Sequence, residues 1–155
     1  MKNKKDRFAN DISIRNRKAQ FNYELIEKLE VGIMLLGSEI KSIREGKASL
    51  QEAHCIVSKG ELFVRSMNIS PYIESSYYNH EPTRERKLLL SKKDIEKLRA
   101  KTEEKGLTLI PTKLYINSRG FAKMEIALAK GKKLHDKRDS LKRKDQEREL
   151  NQTRL

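Results

Sequence analysis

Apolar and polar residues alternate in several short runs along this chain, and such runs are typical of half-buried β-strands. The predicted strands cover residues 21–26, 31–36, 53–58, 61–69, 108–116 and 122–128. On the last strand, one face carries the apolar residues Ala122, Met124, Ile126 and Leu128. In the strand before it, Ile110, Leu114 and Ile116 share a parity, and Pro111 indicates an edge or a bulge.

Two helices and a tight turn interrupt this pattern. Ser38 can cap a short helix over residues 39–45, and the stretch from Ser91 matches a capping box that opens a second helix ending at Gly106. Lys59-Gly60 is a glycine turn between two apolar runs, as in a β-hairpin.

The spacing of these elements predicts a mostly β fold with short helices. We favour a small antiparallel OB-like β-barrel with two or three flanking helices, because that fold accommodates a helix between strands. A half-barrel or an α+β sandwich is the alternative, and the pattern alone does not separate them. Residues 72–86 form a long polar connection, which is typical of a binding loop.

The charge distribution divides the chain into three parts. Of the formal net charge of +13, residues 1–18 and residues 130–155 carry +5 each, so residues 19–129 have the composition of an ordinary globular domain. The tail is too poor in apolar side chains to offset the entropy of ordering it. We therefore predict a flexible basic N-terminal segment, a barrel, and a tail that is disordered when free and helical once phosphates neutralise its charges.

Several classes of protein are excluded by what this sequence lacks. The one cysteine, Cys55, excludes an internal disulfide, and its neighbour His54 is not at metal-ligand spacing from it. No run approaches a membrane span or the apolar stretch of a secretory signal, so we expect a cytoplasmic protein without membrane contact. Phosphate loops, nucleophile elbows and HExxH motifs are missing too. We predict no enzyme, no metal, no cofactor and no small-molecule substrate.

Basic clusters in the middle domain indicate a polyanionic partner. They comprise Lys41, Arg44 and Lys47, spaced three apart along one flank of the short helix, and Arg84, Arg86 and Lys87 before the apolar residues 88–90. Each cluster alone would equally suit a solvated helix face or an edge strand guarded by charge. Tyr72, Tyr77 and Tyr78 can stack on unpaired bases. Together with the basic ends, these features favour RNA.

Over about 120 residues, the chain contains a series of short motifs in the order and spacing typical of one known family. They are Asn16-Arg17-Lys18-Ala19 with Tyr23, residues 31–33, GSEIKSIR at 37–44, Gly46-Lys47, residues 69–72, Asn79-His80, PTRERKLLL at 82–90, AKGKK at 129–133 and DKR at 136–138. The chain resembles the SsrA-binding protein family, also called small protein B (SmpB), the tmRNA partner in bacterial trans-translation.

The resemblance implies an RNA-binding adaptor that acts as a monomer. Members are understood to bind the tRNA-like domain of tmRNA, where they replace the missing anticodon arm, and to deliver it to stalled ribosomes. The tail then probes the small-subunit decoding centre and the empty mRNA path. The RNA-binding residues carried over, together with their basic neighbours, are Asn16, Arg17, Lys18, Tyr23, Glu30, Gly32, Lys41, Arg44, Lys47, Arg84, Arg86, Lys87, Leu89 and Ser91. The ribosome-binding residues of the tail are Lys130, Lys132, Lys133, His135, Asp136, Lys137 and Arg138.

Glu30 stands out in the RNA-binding set because phosphate repels a carboxylate. We expect it to accept hydrogen bonds from base edges or 2′-hydroxyls instead, and we expect His135 to stack on a base in the decoding site. Ser91 and Gln146 depart from the family, which often has Asn and an aromatic residue there. The alternative function is a constitutive ribosomal protein bound to rRNA, which the composition fits equally well. A nuclease built on the same barrel would need a carboxylate cluster that the sequence lacks.

Overall fold

The structure is a computed structural model of the 155-residue chain and describes residues 12–74, 79–132 and 134–152. Within these ranges the side chains of residues 105, 134–137, 139, 140, 151 and 152 are not described. Lys133, Tyr77, Tyr78 and most of the predicted N-terminal segment therefore lie outside the described residues.

Nine strands and four helices make up the described chain. The strands are β1 (Ser13–Arg15), β2 (Tyr23–Ile33), β3 (Ala48–Ser49), β4 (His54–Ser58), β5 (Glu61–Arg65), β6 (Asn68–Ile69), β7 (Arg86–Leu89), β8 (Thr108–Ile116) and β9 (Ala122–Gly131). The helices are α1 (Arg17–Asn22), α2 (Gly37–Arg44), α3 (Lys92–Lys105) and α4 (Leu134–Gln152).

The main sheet closes on itself. Its strand order is β1-β8-β4-β5-β7-β2-β9, and β9 also pairs with β8, which joins six strands into a ring. All pairings in the ring are antiparallel. One edge of β8 is shared, because β4 pairs with it at Leu109 and β1 at positions 113–115. The predicted fold class, a mostly β antiparallel OB-like barrel with short helices, is confirmed.

The barrel interior holds the apolar face predicted for β9. Met124 and Ile126 are fully buried there, and they pack with Leu62, Val64 and Leu88 from the opposite side of the ring. Burying such side chains contributes about 1.5–3 kcal/mol each, so this face stabilises the ring closure. The hairpin turn is confirmed as well, since β4 and β5 flank residues 59–60.

A bulge in β8 redirects its side chains. The register shifts between Pro111 and Lys113, so Leu109 and Leu114 both face the barrel core. Ile110 instead joins a second apolar cluster, with Ala19 of α1 and Ala129 of β9. The bulge predicted from Pro111 is confirmed. The prediction that Ile110 and Leu114 lie on the same face of β8 is wrong, because the extra residue of a bulge inverts the alternation of side chains.

The predicted capping residues are found at the ends of α3 but not at the start of α2. The Ser91 hydroxyl accepts a hydrogen bond from the Asp94 amide at 3.3 Å, and Gly106 ends α3 with a φ of 62°, as predicted. Ser38 does not cap α2. Helix α2 begins at Gly37, which is one residue before Ser38 and two before the predicted start. The side chain of Glu39 accepts a hydrogen bond from the Leu36 amide at 2.7 Å. A buried carboxylate thereby replaces the expected serine cap.

The tail is helical from residue 134 to residue 152 and contacts the barrel through α1. Lys144 Nζ lies 6.0 Å from the centroid of the Phe21 ring, a cation–π contact between α4 and α1. This is the form that the sequence analysis expected on the ribosome. The expected disorder of the free tail and the three-part division of the chain stay predictions. No helix in the described ranges is long and apolar enough to cross a membrane.

Candidate nucleic-acid interface

The strand register builds a row of charged residues across the outer face of the barrel. Glu30 of β2 lies opposite Glu125 of β9, which lies opposite Lys113 of β8, which lies opposite Arg15 of β1. Side chains directly opposite on neighbouring strands are about 5 Å apart at Cβ. The row therefore places the carboxylate expected to read RNA next to a cationic flank.

Tyr115 connects this row to the next one. Its hydroxyl donates a hydrogen bond to Glu30 Oε2, and Lys113 Nζ lies 5.0 Å from the centroid of its ring. Burial, the bond to Glu30 and the charges of Glu30 and Glu125 raise the pKa of Tyr115 to about 12, so the hydroxyl remains a donor at neutral pH. These residues and Lys28 line an open groove of about 320 Å³.

Gly32 and Leu89 extend the same face. Gly32 pairs with Leu89 of β7 on one side and with Lys123 of β9 on the other. A Cβ added at Gly32 would lie 3.2 Å from Leu89 Cβ, so the leucine covers the glycine. Leu89 is 49 % exposed. The structure thus brings together three of the predicted RNA-binding residues, Glu30, Gly32 and Leu89.

A second groove of about 540 Å³ continues the surface toward the tail. Its cationic lining consists of Arg15, Arg17, Lys28, Lys113 and Lys144. Glu125 is the acidic residue among the described lining residues, and it also lines the first groove. Five cations around an open polar groove attract a phosphate backbone. The tail helix contributes to this surface through Lys144.

Three predicted RNA-binding residues in or next to α1 differ in their environment: Asn16 is buried, whereas Lys18 and Tyr23 line a groove. Asn16 is buried, and its Nδ2 donates hydrogen bonds to the carbonyls of Leu50 at 3.1 Å and Pro111 at 2.9 Å. It therefore holds α1 against the barrel, which corrects its assignment as an RNA contact. Lys18 is exposed and lines a third groove with Tyr23, which also packs on the second apolar cluster.

Glu39 forms a buried ion-pair centre with two arginines. Arg86 is fully buried, donates from Nε to Glu39, and donates from Nη1 to the Met67 carbonyl at 2.8 Å. Arg84 Nη2 lies 2.6 Å from the other carboxylate oxygen. The assignment of Arg86 as a phosphate ligand is therefore wrong, because its guanidinium is inside the protein and already paired.

Opposing effects act on the ionisation of Glu39. Burial raises the pKa of this carboxyl, but hydrogen bonds from Arg84, the Leu36 amide and Arg86 outweigh it, and the net pKa is lowered. The charged pair ties α2 to β7. Sequence reasoning missed it, although Glu39 shares a helix face with Ile43, four residues on, which is an available signal.

The remaining predicted cations of the barrel differ in how they are held. Lys41 Nζ lies 5.4 Å from the centroid of the Tyr72 ring, and Lys47 forms a 3.0 Å ion pair with Glu45. The Arg44 side chain reaches the turn between β8 and β9. Its Nη2 atom lies 3.5 Å from the point where a Cβ atom would be if Gly120 carried one.

Two of the predicted residues around β7 are engaged by local partners. Lys87 forms an exposed ion pair with Glu61 at 3.1 Å. Ser91 is engaged as the cap of α3, and its hydroxyl also donates to Asp94 Oδ2 at 2.8 Å. Neither interaction is buried, so a stronger partner can compete for these side chains.

The start of the tail is anchored to α1. Lys132 donates from its amide to the Asn22 carbonyl at 2.9 Å and from Nζ to the Gln20 carbonyl at 2.8 Å. Lys130 and Arg138 are exposed. Lys133 lies outside the described residues, and residues 135–137 are described only as backbone of α4.

Comparison with known proteins shows the family to which this chain belongs. A model of the family described as "SmpB protein" matches residues 13–154. The chain belongs to the SmpB family. It is 54 % identical over 145 residues to the SsrA-binding protein of Cytophaga hutchinsonii, covering 94 % of this chain and 95 % of that protein. With the SsrA-binding protein of Syntrophobacter fumaroxidans it shares 55 % identity over 139 residues, or 90 % and 86 % of the two chains.

A solved structure supports the SmpB assignment at the level of the fold. It is described as "tmRNA-SmpB: a journey to the center of the bacterial ribosome" and aligns with a TM-score of 0.69 at 42 % identity. The alignment covers 84 % of this chain and 94 % of the other. The alternative of a constitutive ribosomal protein is not favoured by these findings.

Several residues of this charged outer face were not singled out by the sequence analysis. They are Arg15, Lys28, Lys113, Tyr115 and Lys123. Lys113 and Tyr115 alternate with the buried Leu114 and Ile116 on β8. This alternation in the sequence could have indicated that both side chains lie on the outer face of the barrel.

Proposed function

We propose that this protein is a non-enzymatic, cytoplasmic adaptor that binds the tRNA-like domain of tmRNA and delivers it to stalled ribosomes for trans-translation. The observation that carries the proposal is the match to the SmpB family over residues 13–154, which includes both the barrel and the tail helix. The protein acts as a scaffold for RNA, so its residues bind and orient rather than catalyse.

The outer face of the barrel supports RNA binding by charge and by shape. The two adjoining grooves are lined by exposed or half-buried lysines and arginines, and Glu30 supplies a hydrogen-bond acceptor in the smaller one. On the order of five to eight phosphate contacts would give a steep loss of affinity with salt, because each contact releases counterions. Glu30 and Tyr115 then select for base edges or 2′-hydroxyls, which a simple polycation does not do.

The tail supports the delivery step. Helix α4 begins two residues after the Lys132 anchor on α1, so the barrel sets the direction in which the tail leaves. On the ribosome, the basic tail occupies the decoding centre and the empty mRNA path, where phosphates of rRNA neutralise its charges. The barrel binds tmRNA and the tail reports an empty message channel, so the two activities are separable.

The first test is binding of the purified protein to the isolated tRNA-like domain of tmRNA, at two salt concentrations. A length-matched RNA hairpin is the control. We expect a preference for the tRNA-like domain that persists at the higher salt concentration, since shape and base-edge contacts are less salt-dependent than phosphate contacts. Equal binding of both RNAs that collapses with salt would overturn the proposal in favour of a general polycation.

The second test separates binding from delivery by removing residues 133–155. The cut follows Lys132 because Gly131 still pairs with Tyr23 in the sheet and Lys132 caps α1. We expect the shortened protein to bind the tRNA-like domain with nearly full affinity and to lose peptide tagging on stalled ribosomes. Undiminished tagging would contradict the role of the tail.

A further inference from the structure

The register of the outer face creates an electrostatic problem for Glu30. Its directly opposed neighbour on β9 is another carboxylate, Glu125. Like charges opposite each other on paired strands repel and destabilise the pair. Glu30 is exposed, so without a further contact its side chain would rotate away from Glu125 into solvent. An acceptor with that freedom would be poorly prepared to read a base.

Tyr115 supplies the contact that opposes this rotation. Its hydroxyl reaches across β9 from β8 and donates to Glu30 Oε2. Lys113 Nζ lies over the Tyr115 ring, 5.0 Å from its centroid, and this cation–π contact restrains the ring. A tyrosine has only two side-chain torsions, so it holds a partner at small entropic cost.

We propose that Tyr115 is a positioning residue for RNA recognition, which holds the carboxylate of Glu30 in the orientation that accepts hydrogen bonds from RNA. A carboxylate has about four acceptor positions, and Tyr115 occupies one of them. The exposed Glu30 side chain lines the groove together with Lys28 and Lys113, so its remaining acceptor positions are available to a ligand. An acceptor ordered before binding loses less entropy when RNA arrives, which raises affinity. This inference rests on the proposed function.

A double-mutant cycle tests the coupling between the two residues. Tyr115→Phe, Glu30→Ala and the double variant are compared with the unmodified full chain for affinity to the tRNA-like domain of tmRNA. Alanine is used at position 30 because a glutamine would keep an acceptor oxygen for the tyrosine hydroxyl. We expect Tyr115→Phe to weaken binding by about threefold to tenfold, as for one hydrogen bond to a charged group at a partly exposed site. We expect no further loss when it is added to Glu30→Ala, because the hydroxyl acts only through the carboxylate.

The chain offers a control in Thr102→Val, which also removes one hydroxyl donor. The Thr102 hydroxyl donates to the Arg99 carbonyl within α3 at 2.9 Å, and Thr102 lines neither of the two grooves. We expect Thr102→Val to leave the affinity within about twofold of the unmodified protein. Thermal midpoints of all variants are measured in parallel, so that a general loss of stability is recognised.

The outcomes distinguish this inference from the function on which it rests. Equal losses from Tyr115→Phe in the presence and absence of Glu30 would overturn the positioning role, because the hydroxyl would then act by itself. No loss from Glu30→Ala in a protein that still prefers the tRNA-like domain would also overturn it and would leave the proposed function intact. An unmodified protein without that preference would overturn the proposed function.

Discussion

The fully buried carboxylate of Glu39 accepts a hydrogen bond from the fully buried guanidinium of Arg86. This pair joins α2, which carries Lys41 and Arg44, to β7, which carries Leu89. Arg84 binds the same carboxylate from the loop before β7. The basic helix and the strand that borders the proposed RNA-binding face are therefore joined by one charged centre inside the protein.

Removing the carboxylate is expected to destabilise the fold strongly. Glu39→Gln leaves Arg86 charged and buried without a counter-charge, which costs about 3–5 kcal/mol of unfolding free energy. Urea denaturation measures this loss. The control is Glu61→Gln, which breaks an exposed ion pair with Lys87 and is expected to cost about 0–1 kcal/mol. Equal losses from the two variants would contradict a structural role for the buried centre.

The same centre predicts a pH dependence at the acid end. The folded-state pKa of Glu39 is lowered from its ordinary value of 4.5, so its stabilising contribution is fully present above that pH. It is lost as the pH falls through the lowered pKa of the folded state. We expect the difference in unfolding free energy between the unmodified protein and Glu39→Gln to be constant from pH 7 to pH 5. It should be smaller at pH 3, and a constant difference there would contradict the lowered pKa.

A side chain at Gly32 is expected to disturb the proposed RNA-binding face. A methyl group in Gly32→Ala would lie 3.2 Å from Leu89 Cβ, which forces β2 and β7 or the leucine to move. We expect a loss of about 1 kcal/mol in stability and weaker binding of the tRNA-like domain.

Gly37→Ala is the matched control for this substitution, because no atom lies within 4 Å of a Cβ at Gly37. Both variants are measured by urea denaturation and by RNA binding. A Gly32→Ala protein that behaves like Gly37→Ala in both assays would show that the close approach of Leu89 has no consequence.

Lys132 is expected to act on delivery more than on binding. Lys132→Met removes the hydrogen bond from Nζ to the Gln20 carbonyl and retains the amide bond to Asn22, so the tail loses part of its anchor. We expect tagging on stalled ribosomes to fall by about tenfold, because a displaced tail misses its site. Affinity for tmRNA should be nearly unchanged. Lys142→Met, at an exposed position of α4, controls for the loss of one tail charge, and an equal effect there would contradict the anchor.

Local physics made much of this fold predictable from the sequence. The alternation on β9, the turn at residues 59–60 and the helix from Ser91 to Gly106 are each encoded within a few residues, and each is confirmed. The net charge of the ends follows from composition alone. The order and spacing of the motifs also sufficed to predict the SmpB family.

Features that depend on which strands pair were decided by the tertiary structure. The ring closure fixes which outward residues stand side by side, so Tyr115 meets Glu30 across β9 although 85 residues separate them in the chain. Arg86 and Glu39 lie 47 residues apart and become partners only inside the closed barrel, which makes an expected surface cation a buried one. The sequence by itself therefore determined strands such as β4, β8 and β9, helix α3, the charge of the two ends and the family. Helix α1 and the continuous strand β2, predicted as two strands, appeared only in the structure. Only the tertiary structure decided which charges lie on the outer face and which are buried in pairs, because burial and pairing of charges depend on contacts between distant segments.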